Sequence, residues 1–145
     1  MNILFVCTGN TCRSPMAQAI AQSLTQGRPG YDRLNLASAG MAAEEGATAS
    51  GPAMEVCQAH GLSLADHRSR PLTTDMVAAA DRIYTMSRLD SHMLARIVPQ
   101  AAQKIQPLAD HDISDPYGGD QRRYQACYKE LEAAIRARLP QWKGE

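Results

Sequence analysis

The chain carries no net charge: its 145 residues hold 15 basic and 15 acidic side chains. No global field marks it for nucleic acid or a membrane surface, so any anion site must be local and built from backbone as much as from charge. Long apolar runs are absent too. The opening Asn2-Ile3-Leu4-Phe5-Val6 is far shorter than a membrane span or a signal-peptide core, and no basic leader precedes it. No Cys-x-x-Cys occurs among Cys7, Cys12, Cys57 and Cys127, and the four histidines, His60, His67, His92 and His111, are scattered. That spacing speaks against a structural zinc site. Irregularly placed cysteines without a leader are expected as reduced thiols in the cytoplasm. Repeats, low-complexity tracts and linkers are missing. At this length, with 44% hydrophobic and 21% charged residues, one globular domain over residues 1–145 is expected.

What is present alternates. Asn2 to Val6 is a continuous apolar run, the pattern of a strand buried on both faces. After a polar loop, Ser14-Pro15 reads as an N-cap and first helical residue, and Met16 to Thr25 carries an apolar face of Met16, Ala19, Ile20 and Leu24. Strands are expected again at residues 34–39, 81–86 and 104–108. Helices are expected at 52–60, 72–80, 89–98 and 121–139, the second of these from Thr73 or Thr74 and the last two stopped by Pro99 and Pro140. Such alternation implies an α/β fold: about four mainly parallel strands with helices on both faces, binding ligands beyond the strands' carboxyl ends.

The loop after the first strand is such a place. Cys7-Thr8-Gly9-Asn10-Thr11-Cys12-Arg13 places five residues between a Cys and an Arg, after a buried strand and ahead of a helix N-terminus. Backbone N–H groups of such a loop can converge on one anion, with the helix dipole adding positive potential. Arg13 adds a planar fork for two phosphate oxygens. The same field favours a thiolate at Cys7. No Gly-Lys-Ser/Thr follows, so this is not a nucleotide-binding P-loop. On the spacing alone, Cys7 could be a small buried hydrophobe and Arg13 a solvent-facing helix residue. The glycine, the strand before and the helix start after favour a phosphate cradle.

Residues 6–15, Val-Cys-Thr-Gly-Asn-Thr-Cys-Arg-Ser-Pro, resemble the signature of the low-molecular-weight protein tyrosine phosphatases. Ser38-Ala39-Gly40 resembles their second-strand ending, and Asp115-Pro116-Tyr117-Gly118-Gly119 their general-acid loop; the resemblance spans essentially the whole chain. It implies a metal-free and cofactor-free phosphoprotein hydrolase, expected to act as a monomer away from nucleic acid and membranes and to release inorganic phosphate. Cys7 would attack phosphorus, with Arg13 and the amides of Thr8, Gly9, Asn10, Thr11, Cys12 and Arg13 holding the equatorial oxygens. Ser14, expected with these residues among the phosphate contacts, would also donate to the Cys7 thiolate, and Asn10 would brace the loop against Ser38. Asp115 would serve as general acid and then base. Cys12 is expected to be a resolving thiol for oxidised Cys7. Cys57 and Cys127 are expected in the core, and His67 and His111 in loops or at the surface.

The family includes phosphotyrosine phosphatases and a bacterial branch acting on phosphoarginine. Thr11, where tyrosine-directed members commonly carry a larger aliphatic residue, resembles the second branch, as does the Gly118-Gly119 pair. Aromatic residues are only 5% of the chain, and the loop from Met41 to Ser50, which resembles the family's opposite wall, holds none. It holds Glu44 and Glu45, compatible with a guanidinium but expected simply to face solvent. Tyr117 would form one wall for either substrate. Phosphoarginine is therefore favoured over phosphotyrosine. A thioredoxin-coupled arsenate reductase would need relay cysteines, and residues 58–126 contain none. A non-catalytic phosphoprotein-binding module would have lost Cys7, Arg13 or Asp115, and all three are present.

Overall fold

The computed structural model describes residues 1–144. Four strands, β1 (Asn2–Cys7), β2 (Asn35–Gly40), β3 (Arg82–Thr85) and β4 (Ile105–Pro107), form one sheet in the order β2-β1-β3-β4. Every pairing is parallel. The helices are α1 (Arg13–Thr25), α2 (Gly51–Ala59), α3 (Thr74–Ala79), α4 (Arg88–Ile97) and α5 (Gln121–Trp142), with a short 3₁₀ turn at Pro99–Lys104. This is the α/β architecture expected. The apolar run at the N-terminus explains it: side chains of a strand alternate between faces. Ile3, Phe5 and Cys7 pack into one core with residues of α1, α2 and α5, while Leu4 and Val6 pack into a second with residues of α3, α4 and the 3₁₀ turn. β1 is thus buried on both sides. The chain leaves it for β2 on one side and later for β3 on the other, so the strand order switches direction at its carboxyl end, where Cys7 stands.

Local signals hold where nothing competes with them. Ser50, Thr73 and Ser87 cap α2, α3 and α4 with side-chain oxygens that accept from Ala53, Met76 and Asp90 N–H groups. Ser14 is not a cap. The helix begins one residue earlier, at Arg13, with Cys12 in the cap position and no side-chain capping bond. Ser14 is completely buried, and its hydroxyl faces Cys7 instead. Pro15 is still tolerated, because first-turn N–H groups have no intrahelical partner to lose. The buried face of α1 is Met16, Ala17, Ile20 and Ala21, with Ala19 and Leu24 only partly covered.

Pro140 does not stop α5, which runs on to Trp142. A proline inside a helix costs about 3 kcal/mol, but burying an indole returns about 4–6 kcal/mol. Trp142 is 2% exposed, donates its indole N–H to Tyr84 Oη at 2.9 Å and packs against Phe5 and Tyr84. Burial of the indole outweighs the strain of the proline, and the helix continues past it.

Candidate active site

Anchored carbonyls shape the loop from Cys7 to Arg13. Cys7 O accepts from Met41 N at 2.8 Å, Thr8 O from Ala42 N at 2.9 Å, Thr11 O from Ser50 N at 3.0 Å and Cys12 O from Met16 N at 3.1 Å. Asn10 O lies 2.7 Å from His67 Nε2; a carbonyl only accepts, so that nitrogen carries the proton. In a planar trans peptide the following N–H points opposite its carbonyl, and the chain has no cis bonds. Five carbonyls tied outward therefore turn the N–H groups of Thr8, Gly9, Thr11, Cys12 and Arg13 inward. A cavity of about 200 Å³ lies there, lined by those five residues together with Cys7, Asp115 and Tyr117.

Asn10 and Ser14, expected among the phosphate contacts, do not line this cavity. Both are fully buried and brace the loop from behind. Asn10 adopts φ 56°, a left-handed conformation that Asn tolerates better than most residues. Its Oδ1 accepts from Arg70 N at 3.0 Å, which settles the amide orientation. Its Nδ2 then donates to Ser14 Oγ at 2.8 Å and to Ser38 Oγ at 3.0 Å, the brace to Ser38 that the sequence implied. Because Ser14 Oγ already accepts from Asn10, its own proton is free for Cys7 Sγ at 2.9 Å. The sulfur thus meets a donor before any ligand arrives.

His67 and Arg70 belong to this scaffold, although sequence reasoning gives Arg70 no role and leaves His67 in a loop or at the surface. They lie in a segment running alongside the end of β2, where Pro71 bridges Gly40 in parallel and Arg70 Nε also donates to Ser38 O at 3.0 Å. Nothing local to His67-Arg68-Ser69-Arg70 signals that role. A polar cluster without periodicity, followed by proline, is the only trace.

Arg13 is 6% exposed. One guanidinium nitrogen donates to Ile113 O at 2.9 Å, and Nη2 lies 3.7 Å from Asp115 Oδ2. The carboxylate is set in turn by its own loop, Oδ1 accepting from Tyr117 N at 3.1 Å. A turn closes behind it through Gly119 N donating to Pro116 O at 2.8 Å, with Gly118 at φ 80° where a side chain would be strained. Tyr117 is 73% exposed at the rim. Glu44 and Glu45 are exposed and do not line the cavity.

Cys12 Sγ sits 3.3 Å from Ser50 Oγ and 3.4 Å from Tyr124 Oη. All four thiols are free. Cys57 and Cys127 lie in the core as expected, and burial pushes the pKa of both up to about 12, fixing them as neutral thiols.

A sulfur beneath an anion cradle, at the switch point of a parallel α/β sheet, defines the class of cysteine-based phosphatases. Residues 2–144 match the family model described as low molecular weight phosphotyrosine protein phosphatase, and the chain belongs to that family. It is 39% identical to a protein-arginine-phosphatase of Geobacillus stearothermophilus, covering 92% of this chain and 90% of that protein. It is 33% identical to the low molecular weight protein-tyrosine-phosphatase Wzb of Salmonella typhi, covering 92% and 89%. Among solved structures it superposes with a TM-score of 0.91 on the YwlE arginine phosphatase, a cysteine-to-serine mutant with a phosphorylated active-site serine, at 33% identity over 97% of this chain and 95% of that one. The protein is accordingly a phosphatase acting on phosphoproteins, and among its described residues no helix is long and apolar enough to cross a membrane.

Proposed function

We propose that this enzyme removes phosphate from phosphoarginine side chains of proteins, with Cys7 as nucleophile, Arg13 as clamp and Asp115 as acid and base. The observation that carries the mechanism is Cys7 Sγ held 2.9 Å from a Ser14 hydroxyl whose proton is free to serve it. The thiolate attacks phosphorus, forming the S–P bond as the P–N bond breaks, and protonated Asp115 passes its proton to the departing guanidine nitrogen. Arg13 and the inward N–H groups receive the charge on the equatorial oxygens. The carboxylate then takes a proton from water. The resulting hydroxide attacks phosphorus, the S–P bond breaks, and phosphate and the Cys7 thiolate are regenerated. The phosphorylated serine in the YwlE structure supports such a covalent step.

Thr11 supports arginine as the substrate residue. It lines the cavity with a short polar side chain, and Tyr117 is the one aromatic residue among those lining it, so a phenyl ring would find a single aromatic wall. Two relatives named as arginine phosphatases, at 39% and 34% identity, agree with this reading. Free thiols accord with work in the cytoplasm. Cys12, on the same cavity wall as Cys7, is the thiol that closes a disulfide on oxidised Cys7. The test is kcat/KM on matched phosphoarginine and phosphotyrosine peptides. A strong preference for phosphotyrosine would replace the arginine reading with the tyrosine one.

A further inference from the structure

Cys12 lies among groups that the hydrolytic mechanism leaves unused. Ser50, the N-cap of α2, and Tyr124, in the first turn of α5, put their hydroxyls 3.3 and 3.4 Å from its sulfur and 3.4 Å from each other. Tyr124 is 1% exposed, so its hydroxyl has no reach into solvent for a better partner. Ser50 Oγ accepts from Ala53 N at 3.3 Å, which leaves its own proton to give, and Ser50 N pins the neighbouring Thr11 carbonyl. Two helices that are remote in sequence therefore bring a hydroxyl each to one sulfur. Cys57 and Cys127, by contrast, have their pKa pushed up to about 12 by burial and have no hydroxyl against their sulfurs among the hydrogen bonds of the described residues.

A ring of one thiol and two hydroxyls has two arrangements. With Cys12 neutral, each member donates to the next. With Cys12 ionised, both hydroxyls turn to the sulfur, and hydrogen bonds to a charged acceptor are about twice as strong as neutral ones. This matters for one reaction: a thiolate, not a thiol, attacks a sulfenic acid.

We propose that Tyr124 and Ser50 are positioning residues for Cys12 as the thiol that rescues oxidised Cys7. This rests on the reading of Cys12 as the resolving thiol. The oxidant is hydrogen peroxide. The Cys7 thiolate attacks one peroxide oxygen, the O–O bond breaks, hydroxide leaves and Cys7 becomes a sulfenic acid, oxidised by two electrons. Cys12 gives up its proton to solvent, its thiolate attacks the Cys7 sulfur, the S–S bond forms, the S–O bond breaks, and the departing hydroxide takes a proton back from solvent to leave as water. Reaction of the sulfenic acid with a second peroxide competes with that closure and gives the sulfinic acid. Speed of closure decides the outcome, and the two hydroxyls supply it.

The test follows the fate of Cys7 by mass spectrometry after a peroxide pulse, in wild type, Cys12→Ser, Tyr124→Phe and Ser50→Gly. Phenylalanine removes only the hydroxyl, and glycine still serves as an N-cap to within a few tenths of a kcal/mol. Of Tyr124→Phe and Ser50→Gly, the first is expected to hydrolyse p-nitrophenyl phosphate at the wild-type rate. After peroxide, both are expected to form the Cys7–Cys12 disulfide on the order of ten-fold more slowly, as loss of a hydrogen bond to a charged group implies. Sulfinic acid should accumulate at Cys7, and less activity should return with thiol reductant. A merely structural role would lower the melting temperature without moving the ratio of disulfide to sulfinic acid. If wild type forms no Cys7–Cys12 disulfide, the resolving role of Cys12 fails and this proposal with it. If wild type forms it and both variants match its rate, the positioning role alone is overturned.

Discussion

Thr11 and Asp115 both line the cavity, and at the scale of single residues each carries one of the proposed roles. Thr11 is the rim position where a change of side chain should alter selectivity, while its backbone N–H and the rest of the cradle stay in place. Thr and Ile are both β-branched, so the loop backbone should survive exchange. Thr11→Ile adds an apolar surface for a ring and removes a hydroxyl able to meet a guanidinium. The ratio of kcat/KM for phosphoarginine over phosphotyrosine peptides should fall about 10- to 200-fold. An unmoved ratio would dissociate Thr11 from specificity. The Asp115 side chain is 49% exposed and 3.7 Å from Arg13, open to a leaving group. Asp115→Asn should slow turnover by about 10²–10⁴-fold on a poor leaving group and much less on p-nitrophenyl phosphate, with phosphate binding retained. Equal losses on both substrates would remove Asp115 from the proton transfer. Cys7 and Arg13 stand out in the sequence because they share one short motif between a strand and a helix, whereas only the resemblance of its loop to the family's singles out Asp115 from Asp110 and Asp112. His67, Arg70, Ser50 and Tyr124 do not stand out, because their partners lie 38 to 112 residues away and no local pattern marks them.

At the scale of elements, β2 and the segment beside it hold the loop in shape. Gly40 ends β2 so close to the loop that an added Cβ would lie 2.6 Å from Thr8 O, 2.7 Å from Ala43 Cβ and 3.0 Å from Asn10 N. Two of those atoms are backbone of the cradle itself. Gly40→Ala should therefore destabilise the fold by about 1–3 kcal/mol in chemical denaturation and lower kcat/KM on every substrate alike, since the displaced amides serve all phosphates. Normal activity in a folded Gly40→Ala enzyme would show that the cradle tolerates the shift. The acid loop is tied down differently. His111 bonds Asp110 on its own loop and Glu130 of α5, each at 2.9 Å, which raises the imidazole pKa above its ordinary 6.5 and lowers that of Asp110 below 3.8. A raised histidine contributes stability that is complete below the unfolded value and is lost as pH rises through the folded one. Hydrogen exchange at residues 110–120 should accelerate as pH climbs past that raised value, after correction for intrinsic exchange. His111→Gln should flatten the response; a response unchanged in that variant would exclude the His111 tie. The helix starts are largely readable from caps, whereas Ser14 reads wrongly as one because a tertiary partner, the Cys7 sulfur, outcompetes helix capping.

On the scale of the whole molecule, α5 closes one core against the sheet with Tyr124, Tyr128, Leu131, Ile135, Leu139 and Trp142. Its last turn is where stability should be most sensitive. Trp142→Ala should destabilise the protein by about 3–5 kcal/mol in chemical denaturation, since it empties an indole-sized space and strips Tyr84 of its donor. A loss under about 1 kcal/mol would mean that the helix frays beyond Pro140 in solution. The sequence by itself determined the order of strands and helices, because alternation of apolar runs with amphipathic ones leaves a parallel sheet as the arrangement that buries both. It also pointed to an anion-binding loop, since Cys, Gly, Arg and a helix start stand together in one short stretch. Only the tertiary structure decided which groups turn the loop's carbonyls outward, which hydroxyls hold Cys12 and where α5 ends. Those outcomes depend on which distant segment arrives to compete for each hydrogen bond or buried surface, and such competition is settled by packing in three dimensions rather than by neighbours along the chain.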